Sequence, residues 1–405
     1  MSKLSYWLWL AAKDELTALV KNQLLECFGS PEHLFAMSRQ EFIEKTRLNK
    51  KQIDALSDKS LQRADAIQFD CEKLGISILT MEDSAYPEIL CSIPDPPIIL
   101  YAKGKIPDLE RKPAVGIVGT RKATPYGMTM AGEFGKQLAS AGMTIVSGMA
   151  LGIDGAAMRG AISAGGKTIA VLAGGINICY PPEHNFLMGD IQLTGAVISE
   201  NPPSTPHKGF LFPIRNRIIS GLSRAVLVVE APARSGALIT AHEALEQGRE
   251  VFAIPANIDA PNSMGCNHLI RDGEAAIACE PNDILREVGL SPIYGSKKPI
   301  KQPEQVHYDD KQTVEEMWNK ILKHEEKTEE NKSEKQETTQ KHAHIPQLQN
   351  ENQKAIVDII LNGAETPEDI LEQIDLPVAR VMTELTMMEL DGILKRENGI
   401  ITINF

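Results

Sequence analysis

The chain has no early apolar run longer than Tyr6–Ala12 (YWLWLAA), and a bilayer needs about 20 such residues. That run also lacks the basic flank and small-residue cleavage site of a secretory signal. A cytoplasmic protein without a membrane partner is expected. Paired cysteines are missing too. Cys27, Cys71, Cys91, Cys179, Cys266 and Cys279 are scattered, with no CxxC spacing and no Cys/His cluster. This argues against a zinc site and a disulfide framework, so no metal is expected. Positive charge is in deficit, with 42 Lys and Arg against 54 Asp and Glu, net -12. That sign is wrong for a polyanion binder, but the deficit is uneven. Residues 1–290 hold 28 basic against 32 acidic residues, while 291–405 hold 14 against 22. A local basic cleft upstream stays open.

Signatures of chemistry are absent as well. No GxGxxG follows the first strand, which disfavours a dinucleotide. AISAGGKT (161–168) resembles a phosphate loop, but Ala161 replaces the first glycine and Lys167-Thr168 leads into a strand. No Ser/His/Asp set or HExxH stands out, and His207 and His242 read as structural or solvent-facing. No cofactor is expected.

What is present is a soluble, globular composition, 42% hydrophobic and 24% charged over 405 residues, enough for two or three domains. Residues 1–72 read as a compact module of short helices, punctuated by stops such as Gly29-Ser30-Pro31. Within 73–291, from about 112, buried-strand runs (AVGIVGT, TIVSG, KTIAVLAGG, GAVISE, RAVLVVEA, EVFAIPA, AAIACE) alternate with helical stretches. This alternation predicts an α/β fold, a Rossmann-like, mainly parallel sheet of six or seven strands with helices on both faces. Residues 292–348, rich in Lys, Glu, Gln and Thr, read as a linker unable to bury a core. Residues 349–405 read as three helices and a hairpin turning at Glu397-Asn398-Gly399, a winged-helix plan. That tail has four basic residues against 11 acids, so it is expected to contact protein, or DNA only weakly, or equally to form a regulatory lid on the basic cleft.

Ligands of open α/β sheets sit at the carboxyl ends of the strands. There the sequence places Arg121, then Ser147-Gly148, then Arg234-Ser235-Gly236, combining glycines, hydroxyls and guanidinium groups suited to phosphate. Gly148, Gly152 and Gly155 fit either a phosphate cradle or tight helix–sheet packing, and Asp154 fits a residue fixing that loop. Arg215-Asn216-Arg217 opens a helix, where cations oppose the helix dipole. Internal salt bridges or a docked anion would account for them. Phe210 and Phe212 fit a core or, beside Lys208, a base-stacking role.

Taken in order, GIVGTRKATPYG, VSGMALGIDGAAMRGAI, AGGINICYPPEHN, ISENPP, FPIRNRIISGLSRAVLVVEA, SGALITA and GREVFAIPAN resemble the DNA-processing protein A (DprA/Smf) family over roughly residues 75–290. The chain departs from the family's usual pattern at Ala173, Gly174, Asn177, Ala256 and Glu274. The resemblance implies a non-catalytic protein that binds single-stranded DNA, loads the RecA recombinase in natural transformation or recombination, and forms a homodimer. It carries DNA contact to Arg121, Lys208, Phe212, Arg215, Asn216 and Arg217, with Ser147, Gly148, Ser235 and Gly236 as pocket floor. The N-terminal helices would then be SAM- or HhH-like. Residues 265–278, notably His268, Ile270 and Ile277, are the candidate self-association surface. A competing class is a phosphoribohydrolase acting on nucleoside monophosphates, whose loop SGALITAHE would echo with Gly236, Thr240 and Glu243 but without two of its glycines.

Overall fold

The structure, a computed structural model, describes residues 2–293 and, beyond them, 351–361, 369–370, 373–374, 393–397 and 400–403, with positions 381, 385 and 388. The chain divides into two units, Met1–Ser296 and Lys297–Phe405. The expected linker, apart from residues 292 and 293, lies outside the described residues.

The first unit opens with six helices: α1 (Lys3–Ala11), α2 (Ala18–Phe28), α3 (Pro31–Ala36), α4 (Arg39–Lys45), α5 (Lys50–Ser57) and α6 (Gln62–Leu74). Five of them start on a side-chain cap: Ser2, Thr17, Ser30, Ser38 and Asn49 each accept a backbone N–H of the first turn, which satisfies donors the helix itself leaves free. Trp9, Leu10, Leu34, Phe42 and Leu56 are buried among them, in one cluster with Ile99, Tyr101, Ala170 and Val197 of the sheet. The helical module and the sheet therefore share a core.

The sheet strands are β1 (Ser77–Thr80), β2 (Ile99–Gly104), β3 (Ala114–Val118), β4 (Thr144–Ser147), β5 (Lys167–Val171), β6 (Ala196–Ser199), β7 (Ala225–Val228), β8 (Glu250–Ala253) and β9 (Ala276–Ile277). Their order is β1-β2-β6-β5-β4-β3-β7-β8-β9. All pairings from β6 to β9 are parallel, as the continuous apolar runs require. The expected count of six or seven strands is corrected to nine. The two additions, β1 and β2, pair antiparallel and come from the stretch read only as an entry to the domain. β1 is short and partly exposed, so it carries no buried-strand signal.

Both faces are covered by α7 (Pro125–Ser140), α8 (Ile153–Ser163), α9 (Asn185–Thr194), α10 (Leu211–Gly221), α11 (Gly236–Glu246), α12 (Met264–Arg271) and α13 (Pro281–Glu287). Alternate residues of one strand serve opposite cores: Ala114 and Val118 face one cluster, Val115 and Ile117 the other. α7 and α8 touch backbone to backbone, since a Cβ on Gly135 would meet the Ala157 carbonyl and one on Gly160 the Gly132 carbonyl. Gly160→Leu is expected to lower stability by about 3 kcal/mol, the upper range for overpacking, because main chain cannot yield. The shift of the urea midpoint measures it.

In the second unit, α14 (Glu351–Leu361) and the antiparallel hairpin β10 (Leu394–Glu397) and β11 (Ile400–Ile403) bury Ile356, Ile393, Leu394 and Ile401 together. The pairing of Glu397 with Ile400 agrees with the expected turn. Most of the helices expected between them lie outside the described residues. Among the described residues no helix is long and apolar enough to cross a membrane.

Candidate nucleic-acid interface

The strand order reverses between β3 and β7: β4, β5 and β6 follow on one side, β8 and β9 on the other. At such a switch point the loops diverge and leave a crevice. A cavity of about 420 Å³ lies there, lined by the loop after β3, the first turns of α10 and α11, and Arg234. Its lining holds four cations, Arg121, Lys122, Arg215 and Arg234, and one carboxylate, Asp154. Among the described residues no acid pairs with Arg121, Lys122 or Arg234. An acidic chain thus carries a local basic cleft.

The walls are tied from behind. Glu230, buried at the end of β7, accepts from the Thr124 amide at 2.9 Å and from its hydroxyl at 3.3 Å. Its backbone carbonyl accepts from the Thr120 amide at 2.7 Å. This fixes the loop that presents Arg121. Gly152, at φ +76°, lets the next loop pass against the Thr120 and Arg121 carbonyls. Asp154 holds that loop by accepting the Gly148 and Ala150 amides at 3.1 and 3.3 Å. Burial raises the Asp154 pKa, against the pull of Arg215 and of these two N–H donors.

Arg215 is buried. Its Nη1 donates to the Gly148 carbonyl at 3.1 Å and to the Val171 carbonyl, and its Nε to the Asn216 Oδ1 at 3.2 Å. Burial lowers its pKa to about 10, with Asp154 opposing, so the guanidinium stays charged at neutral pH. No described residue accepts from Nη2. Asn216 in turn donates to the Gly236 carbonyl at 3.2 Å, joining α10 to the start of α11. Ser235 caps α11 by accepting the Ala237 amide at 3.2 Å, and Gly236 lies exposed beside it. Over the cavity rim, the Arg121 guanidinium sits 4.8 Å above the Phe212 ring and that of Arg215 at 6.0 Å.

Arg121, Phe212, Arg215, Asn216, Ser235 and Gly236 thus line one cavity. The others do not. Arg217, expected as a DNA contact, lies outside this lining and is held in internal ion pairs. Its Nε donates to Asp95 Oδ2 at 2.9 Å and its Nη2 to Glu200 Oε1 at 2.8 Å, with the side chain 4% exposed. Burial opposes its charge, but Glu200 and Asp95 outweigh that and raise its pKa. The reason is helical geometry. Positions two apart lie about 200° around the axis, so Arg215 and Arg217 face opposite ways. Ser147 and Gly148 are corrected from pocket floor to a layer behind it. The Ser147 hydroxyl is buried and donates to the Ile117 carbonyl at 2.6 Å. A Cβ on Gly148 would fall inside the Arg215 guanidinium. Lys208 is exposed and lines a different cavity of about 700 Å³, between the helical module and the sheet, together with Arg217.

Two cations outside the set that the resemblance assigned to DNA contact join the site. Lys122 and Arg234 line the cavity; both stood in the strand-end loops, and their position was the signal. Glu243, by contrast, is not in that lining and lies within electrostatic reach of Asp95 and Arg217. Gly236 and Thr240 do line the cavity. His207 accepts the Gly174 amide on Nδ1 and bonds the Ile178 carbonyl through Nε2, both at 3.1 Å, which fixes the Nε2–H tautomer. Burial lowers its pKa. An NMR titration is expected to place its midpoint below about 6.5, the ordinary histidine value; since the folded value is depressed, its contribution to stability is full above 6.5 and is lost as pH falls through the folded midpoint. Among the described residues no group of His, Cys, Asp and Glu could hold a metal ion.

His268 and Ile270 are half-buried on α12, with Ile270 packed on the core. Ile277 is 49% exposed on β9, at the edge of the sheet.

Residues 77–289 match the family described as DNA recombination-mediator protein A. The DNA processing protein DprA of Bacillus subtilis is 44% identical over 214 residues, 53% of this chain and 72% of that protein. Protein Smf of Synechocystis is 42% identical over 243 residues, 58% of this chain but only 61% of that protein. The crystal structure of DprA from Streptococcus pneumoniae superposes with a TM-score of 0.61 at 34% identity, covering 70% of this chain and 97% of that one. Half of the chain, including every strand of the sheet and both walls of the cavity, thus falls under one description: the chain belongs to the DNA recombination-mediator protein A (DprA/Smf) family.

Proposed function

We propose that the chain holds single-stranded DNA in the crevice between β3 and β7, protects it, and passes it to the RecA recombinase during recombination, natural transformation included. One observation carries this reading: four cations and one carboxylate around a cavity whose rim stacks Arg121 on Phe212. Unpaired guanidinium groups suit phosphates, and nearby rings suit unstacked bases. A duplex hides its base faces and gains only the electrostatic part. The family description and the names of the Bacillus and Streptococcus relatives agree with a role in DNA processing. The proposal includes no chemical step. It also includes a homodimer through the α12–β9 edge, near His268, Ile270 and Ile277, a SAM- or HhH-like N-terminal module, a winged-helix C-terminal unit, and a cytoplasmic site of action.

The test is a gel shift with single- and double-stranded oligonucleotides at about 50 and 200 mM salt, a range over which phosphate contacts weaken strongly. Preference for the single strand, weakened by salt, is expected. Equal affinity for both forms would overturn the reading. Incubation with nucleoside monophosphates is expected to release no free base; release that Glu243→Gln abolishes would establish an enzyme instead.

A further inference from the structure

Beside the cavity, three rings form a triangular cluster. Tyr180, in the loop after β5, stacks on His207 with centroids 5.2 Å apart and planes 19° apart. Phe212 follows at 5.7 Å from Tyr180 and 6.3 Å from His207. These rings are not equivalent. Phe212 is half-buried, and the Arg121 guanidinium covers it at 4.8 Å. His207 has both ring nitrogens bonded to backbone and is covered by Tyr180. Of the three, Tyr180 is the most exposed, at 41%.

From this division of labour we propose that Tyr180 is the base-stacking platform of the site, and that Phe212 serves to aim Arg121 at the phosphate backbone. The inference rests on the single-stranded DNA reading above and deepens it. A platform must be flat, exposed and held still before the ligand arrives, or ordering it consumes affinity. Tyr180 meets each condition. One face is backed by a ring that two hydrogen bonds immobilise, and burial keeps that imidazole neutral, so it does not add a charge of its own. The neighbour, 5.7 Å away, carries the cation a phosphate would seek. A nucleotide laid across the cluster would meet charge at Arg121 and a π-face at Tyr180. Stacking of this kind tolerates any base, because every base has a face.

The experiment is equilibrium binding by fluorescence anisotropy with two labelled oligonucleotides of equal length, oligo-dT and a fully abasic strand. Tyr180→Ala is expected to weaken oligo-dT binding roughly tenfold or more, the usual loss on removing a stacking ring, and to leave abasic-strand binding unchanged. Tyr180→Phe should keep full affinity, since the ring and not the hydroxyl acts. Tyr180→Leu keeps an apolar cover on His207 and is expected to behave as the alanine variant does, which separates loss of stacking from a disturbed loop. The inference is overturned if Tyr180→Ala binds oligo-dT as tightly as the parent, or loses both strands equally. In either case Arg121→Ala still reports on the site itself: if it weakens both strands, the DNA reading stands and only the role of Tyr180 falls. If the parent binds neither strand, both fall.

Discussion

Replacing Arg217 with alanine is expected to destabilise the protein by about 3 kcal/mol and to leave the DNA affinity of the folded fraction unchanged. The guanidinium is buried between Asp95 and Glu200. Removing it leaves two carboxylates facing one another with no counter-ion. Breaking a buried pair by deleting one partner costs about 3–5 kcal/mol. The lower end applies, because Asp95 and Glu200 are 34% and 26% exposed and water can take up part of their charge. Chemical denaturation measures the first half of the prediction and anisotropy the second. A variant of parental stability that no longer binds single-stranded DNA would return Arg217 to the interface.

The largest loss of binding is expected from Arg121→Ala combined with Arg234→Ala. Both line the crevice, and neither has an acidic partner among the described residues. Their removal takes the local balance from four cations against one acid to two against one. Phosphate contacts act additively and are sequence-blind, so each should reduce the salt slope by about one. At low salt the pair should cost on the order of 100-fold in affinity, with less difference as salt rises. Unfolding midpoints should hardly move, since exposed unpaired cations contribute little to stability. An unchanged salt slope would show that the strand runs elsewhere, for which the groove bearing Lys208 is the alternative.

How far the sequence led depended on the range of each signal. Six of the seven parallel strands were legible because burial on both faces leaves continuous runs such as AVLVV; β9, at the edge, is exposed. The restart at Gly29-Ser30-Pro31 was legible because a cap is local. β1 was not: SILT is half exposed and pairs only at an edge. In the site, Arg121 and Gly236 could be located because strand ends converge in this topology, while Phe212 and Arg215 came from the family resemblance. The partners of Arg217 lie 122 and 17 residues away, and nothing in Arg-Asn-Arg reveals them. Yet the 200° between positions 215 and 217 was available from helix geometry alone, and it forbids both arginines from gripping one anion. Tyr180 was hidden for a different reason. It sits in an irregular loop with no period to announce which way its ring turns.

The contact between Gly148 and Arg215 restricts how such a chain can vary over time. A methyl group at 148 would occupy the volume of the guanidinium, while a shorter residue at 215 would leave the Gly148 and Val171 carbonyls without their donor. Neither position can drift alone. A side chain gained at 148 would require the arginine to move or be lost, so each residue limits what the other can become.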